Sequence, residues 1–69
     1  MKNPFKKPNV KEQFYDDAYF GFKDASAGYY DKWYRYNRKD EGSRYDFGVK
    51  AALDQGAVLE HFIEEPAAY

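Results

Sequence analysis

Apolar residues recur with the 3.6-residue period of a helix in two stretches of the chain, on either side of a segment crowded with tyrosine. In the first stretch Val10, Phe14, Ala18, Phe22 and Ala25 fall on one face, which Tyr15 and Tyr19 widen. Asn9 has the character of a helix N-cap, with Glu12 three residues on as its capping-box partner. Gly28 is placed to end that helix at about Ala27. The second stretch opens at Gly42-Ser43, with Asp46 three residues after Ser43, so Ser43 is expected to cap it. Its face reads Tyr45, Val49, Ala52, Leu59 and Ile63, which predicts a helix to about Phe62 or Ile63, stopped by Glu64-Glu65-Pro66. Gly56 inside it costs about 1 kcal/mol relative to alanine, so it either breaks the helix or is compensated by close packing.

The two stretches share a pattern. Phe20-Gly21-Phe22-Lys23-Asp24-Ala25 parallels Phe47-Gly48-Val49-Lys50-Ala51-Ala52. Gly21, Ala25 and Gly28 form one strip of small residues, and Gly48, Ala52 and Gly56 form another. Facing strips of this kind let two backbones approach closely, with Phe14, Phe22, Phe47 and Phe62 and parts of Tyr19 and Tyr45 along the seam. The expected fold is all-α, an antiparallel helical hairpin of two to three helices. The linker between them, residues 29–41, spaces Tyr29, Trp33 and Tyr36, and also Tyr30 and Tyr34, as a helix would. It is expected to form a short helix folded back over the hairpin, since 13 structureless residues are unusual in so compact a domain. The domain organisation read from this is an extended, basic, proline-rich arm over residues 1–8, a helical domain over 9–63 and an acidic tail over 64–69.

Composition narrows the picture. With 69 residues and no cysteine, one small core must support the fold without disulfides or thiolate metal sites. The basic start has no apolar stretch after it, and no apolar run is long enough to span a bilayer, so a cytoplasmic location is expected and no membrane partner. The net charge of −1 is distributed in blocks: four lysines and no acid in residues 1–11, a balance of −3 over 12–28, +2 over 29–50, and four acids in 51–69. Such blocks suit electrostatic docking as well as ordinary solvated surfaces. A chain that is net acidic is not a dedicated binder of phosphate backbones.

Catalytic chemistry finds little to work with. His61 is the single histidine, Ser26 and Ser43 the only serines, and neither serine lies in a sharp-turn nucleophile motif. His61 near a helix C-terminus would interact favourably with the helix dipole. The paired acids Asp16-Asp17, Asp40-Glu41 and Glu64-Glu65 are adjacent and so do not share a helix face. No phosphate-cradling loop is present, and no enzyme activity, cofactor or metal is expected. The aromatic load, eight tyrosines, six phenylalanines and one tryptophan, is the more telling feature. Lys32, Trp33, Tyr34, Arg35, Tyr36, Arg38 and Lys39 interleave cations with aromatics, and Tyr30 and Arg44 flank them. That combination serves as cover for a small core or as a protein interface, and less readily as a platform for bases and phosphates.

Gly21-Phe22, Ala25 and Gly28, then Tyr36, then Tyr45, Gly48 and Ala52 form a spacing pattern over residues 21–53. This pattern resembles the ribosome modulation factor family, short bacterial proteins of two linked helices that bind the small ribosomal subunit during hibernation. The resemblance implies a helical hairpin and ribosome or RNA association. The chain departs from that pattern with Arg35-Tyr36 in place of Pro-Tyr, with Tyr45 in place of tryptophan, and with its net acidity. The expected function is therefore a non-enzymatic accessory protein binding a larger protein or assembly. Its compositional style fits a phage-encoded inhibitor or minor virion component, acting in the host cytoplasm or virion. The alternative is an RNA- or ribosome-associated factor. The expected partner-binding residues are Tyr30, Lys32, Trp33, Tyr34, Arg35, Tyr36, Arg38, Lys39 and Arg44.

Overall fold

A computed structural model describes residues 2–5 and 17–65 of the chain. Its elements are α1 (Asp17–Ser26), β1 (Tyr29–Asp31), α2 (Lys32–Asn37), α3 (Asp40–Asp54) and β2 (His61–Ile63). Val10, Phe14, Tyr15 and the expected capping box at Asn9 and Glu12 lie outside the described residues. Among the described residues, no helix is long and apolar enough to cross a membrane.

Gly21 and Ala25 on α1 and Gly48 and Ala52 on α3 do what their spacing predicts, whereas Gly28 and Gly56 lie beyond the helix ends and outside the crossing. Among the described residues, Ala18, Phe22, Ala25, Tyr45, Val49 and Ala52 are the buried apolar side chains, and all of them lie on α1 or α3. A Cβ added to Gly21 would overlap the Tyr45 carbonyl, and one added to Gly48 would overlap that of Ala18. The helices thus cross backbone on backbone. Each glycine sits over the carbonyl three residues before the other glycine, which gives the Phe-Gly repeat a structural meaning: its two copies meet each other. Gly42 repeats the device at the α2–α3 junction, where an added Cβ would lie 2.8 Å from the Tyr34 carbonyl oxygen.

The all-α expectation is corrected. The domain is mostly helical but carries a two-stranded parallel sheet, with Tyr29, Tyr30 and Asp31 in register with His61, Phe62 and Ile63. Gly28 ends α1 as expected, with φ +89, and its carbonyl accepts from the N–H groups of Glu60 and His61. Parallel strands require a crossover connection, and α2 with α3 supplies it. The two main helices are therefore joined through a strand and a short helix rather than by a hairpin linker.

The second helix begins earlier and ends sooner than its periodicity predicts. It starts at Asp40, so Ser43 lies inside its first turn rather than capping it, and the Ser43 hydroxyl points to the Lys39 carbonyl at 3.4 Å. Gly56 breaks the helix: its φ is +99 and its added Cβ would meet nothing within 4 Å. A glycine free of close packing has nothing to offset its helical cost, and the left-handed conformation it favours turns the chain toward β2. Leu59 and Ile63 thus fall beyond α3, and His61 lies in a strand rather than at a helix end. Phe47 and Phe62, expected in the seam, are 64 % and 53 % exposed.

The basic arm is not free over its described part. The Phe5 ring meets those of Phe22 and Phe47 edge-on, and Asn3 donates its amide to the Tyr19 carbonyl at 3.1 Å.

Candidate interaction surface

The segment between the main helices is positioned by aspartates that accept from its tyrosines. Asp31, fully buried at the end of β1, caps α2 by accepting the Tyr34 N–H at 2.9 Å. Its own N–H is bound by the Tyr45 hydroxyl at 3.1 Å, and that hydroxyl donates to Asp24 at 2.7 Å. The Tyr34 hydroxyl donates to the buried Asp17, which also accepts from Arg44 Nε at 3.2 Å. The Tyr30 hydroxyl donates to Asp46 at 2.7 Å. The rings of Tyr30 and Tyr34 both pack on Tyr45, with centroids 6.2 and 5.1 Å away.

Electrostatics makes these phenols firm donors. Burial raises the affinity of Tyr45, Tyr34 and Tyr30 for their protons, and each is raised further by the carboxylate it bonds. The Asp24 carboxyl is also pushed above its ordinary value by burial, against the opposing hydrogen bond from Tyr45. Tyr30 and Tyr34, both expected at a partner interface, thus present their polar ends inward.

What remains outward is one side of α2, a helix with no buried residue. Tyr36 is 73 % exposed, with the Arg35 guanidinium 5.5 Å from its ring centre. Arg38 lies 6.0 Å from the Trp33 ring and 5.3 Å from that of Tyr34, and pairs with Glu41 at 3.5 Å. Arg38, Lys39 and Arg44 line a shallow polar depression with Asn37, Asp40 and Glu41. Lys32 is drawn away from this group, toward Glu64 and the Phe62 ring. The expected set therefore divides. Trp33, Arg35 and Tyr36 lie on α2 with Arg38 just past its end, Lys39 and Arg44 adjoin them, Tyr30 and Tyr34 support them from below, and Lys32 turns to the sheet.

Lys39 joins α2 to α3 with φ +48 and ψ −117, a backbone conformation costly for any residue with a Cβ. Lys39→Gly is expected to raise stability by about 1 kcal/mol, read as a higher urea midpoint with an unchanged slope. The aspartates that accept from tyrosine were not among the expected site residues. Of these, Asp31 alone carried a readable signal, as an N-cap residue ahead of the helical spacing of the linker.

Among the described residues no group of histidine and acidic side chains is arranged to hold a metal ion. His61 is exposed and stacks on Tyr29 with ring centres 4.8 Å apart. Set against protein-family models, curated proteins and solved structures, the chain matches none of them.

Proposed function

We propose that the chain is a non-enzymatic accessory protein that docks on a larger protein or assembly through the outer face of α2. The observation that carries this reading is the aromatic–arginine group of half-buried Trp33 and Arg35 with exposed Tyr36 and Arg38, on and just after a helix whose remaining aromatic, Tyr34, is held from beneath. Tyrosine, tryptophan and arginine held rigid are the residues that dominate protein interfaces, because little side-chain freedom remains to be lost on binding. A phage-encoded inhibitor or minor virion component would be a protein of this kind. The ribosome- or RNA-associated reading has in its favour the cluster of Arg38, Lys39 and Arg44. Against it, Arg35, Arg38 and Arg44 face Asp46, Glu41 and Asp17, which leaves the surface nearly balanced in charge.

The test compares the chain with its Trp33→Ala/Tyr36→Ala variant on a column loaded with lysate of the source cell. The variant is expected to keep its thermal midpoint within a few degrees and to bind its partner about 30-fold more weakly or worse. Retention should survive nuclease and moderate salt. Retention that disappears with nuclease, and whose affinity falls steeply between about 50 and 200 mM salt, would make the RNA reading the correct one.

A further inference from the structure

The segment that carries β2 is attached to the domain without entering its core. From Leu53 to Glu65 no residue is buried. The turn that ends α3 is complete by Ala57, where the N–H groups of Gly56 and Ala57 donate to the carbonyls of Leu53 and Ala52 at 2.9 and 3.0 Å. At Gly56 the chain turns with φ +99, and an added Cβ would meet nothing within 4 Å, so rotation there is sterically free. Beyond Ala57 the backbone is held through β1. The N–H groups of Glu60 and His61 both donate to the Gly28 carbonyl, at 2.8 and 2.9 Å. Both bonds end on one oxygen and are lost together.

The side-chain ties are equally superficial. His61 stacks on Tyr29, and the Phe62 ring meets that of Tyr30 edge-on with centres 6.3 Å apart. Lys32 lies 3.6 Å from a Glu64 carboxylate oxygen and 5.3 Å from the centre of the Phe62 ring, with both charged side chains in contact with solvent. Beyond Ala57, half-buried Leu59 is the residue packed on the core cluster. The elements beneath are anchored independently of β2. Tyr30 is held by Asp46 and Tyr45, the Asp31 N–H by Tyr45, and the start of α2 by Asp31. Segments with few buried apolar contacts open at a lower free energy than the fold as a whole.

We propose that residues 58–65 form a strap that opens on the Gly56 turn while the three helices and β1 stay folded, with Lys32 as its catch. Closed, the strap pairs with β1 and draws Lys32 toward Glu64. Open, it bares the edge of β1 and frees Lys32 to join the other cations of the α2 surface. That last effect rests on the docking role proposed for α2; the opening itself does not.

Native-state hydrogen exchange of the full chain in low urea tests the strap. Corrected for intrinsic rates, the Glu60 and His61 amides are expected to exchange at least about tenfold faster than those of Phe22 and Val49, with a much weaker dependence on urea. Lys50→Gly, at an exposed position inside α3, weakens that helix in the closed and open forms alike. It should speed the Phe22 and Val49 amides about fourfold and leave Glu60 and His61 unchanged. Lys32→Ala removes contacts made only in the closed form, and should speed Glu60 and His61 about fivefold. The proposal is overturned if Glu60 and His61 share the urea dependence of the core, if Lys50→Gly speeds them as much as it speeds Phe22, or if Lys32→Ala leaves their exchange unchanged.

Discussion

Gly48→Ala is expected to cost about 3 kcal/mol or more, a large share of the stability of the fold. Its new Cβ would overlap the Ala18 carbonyl and lie 2.7 Å from that carbonyl's carbon, and neither atom can move without moving α1. Overpacking against a yielding side chain costs about 1–3 kcal/mol, and a helix backbone yields less. A domain of this size has a total stability of only about 3–10 kcal/mol. The gain of about 1 kcal/mol from alanine's helix propensity offsets part of the loss. Gly21→Ala should behave in the same way against Tyr45. The informative control is Gly56→Ala, where no atom is met and the cost is the left-handed backbone alone, about 1–2 kcal/mol. Urea unfolding followed by circular dichroism ranks the three. A Gly48→Ala protein as stable as the parent would mean that α1 and α3 do not cross at this point.

Tyr45→Phe removes one oxygen and is expected to cost about 3 kcal/mol. The hydroxyl serves one buried and one half-buried partner, so its loss strands the Asp31 N–H and takes the donor from Asp24. Tyr30→Phe should cost about 1 kcal/mol, since Asp46 is half-exposed and water can replace the phenol. The same network fixes the alkaline limit of the fold. An unfolded tyrosine ionises near pH 10, roughly, while Tyr30, Tyr34 and Tyr45 hold their protons well above that in the folded chain. Above that point the unfolded state has released protons that the folded state keeps. Stability is therefore fully present below it and is lost as pH rises further. Asp24 acts with the same sign at lower pH: its raised carboxyl favours the folded state most in acid and less as pH rises through the carboxylate range. Urea midpoints should fall steeply above about pH 10, and less steeply in Tyr45→Phe. A midpoint independent of pH up to about 12 would contradict the buried phenol network.

The seam was legible because its information is local. Glycine and alanine at helical spacing, repeated in Phe20–Ala25 and Phe47–Ala52, announce a close helix crossing without reference to anything distant. The cation–aromatic group on α2 was legible for the same reason. The sheet was not, since Tyr29-Tyr30-Asp31 and His61-Phe62-Ile63 are each three residues long and neither alternates for long enough to register a period of two. Their pairing is parallel and joins segments separated by two helices, which no local pattern encodes. Leu59 and Ile63 continued the α3 face by spacing alone, and the preference of Gly56 for a left-handed turn overrode it. The inward turn of Tyr30 and Tyr34 was hidden too, because Asp46 and Asp17 approach them only once α1 and α3 have packed.

The glycine crossing also bears on the entropy of folding. Ala18, Gly21, Ala25, Gly48 and Ala52, which meet at the centre of the domain, have no rotamers to freeze on folding. Long side chains in their places would each surrender about 1–2 kcal/mol of conformational freedom, whereas the two glycines lose about 1 kcal/mol apiece in extra backbone freedom. Concentrating contact where ordering is cheapest leaves the rotamer cost to be met by the rigid rings of Phe22 and Tyr45, which have only two side-chain torsions each. A chain too short for a large core can then hold one well-ordered arrangement while several of its aromatic rings still face outward.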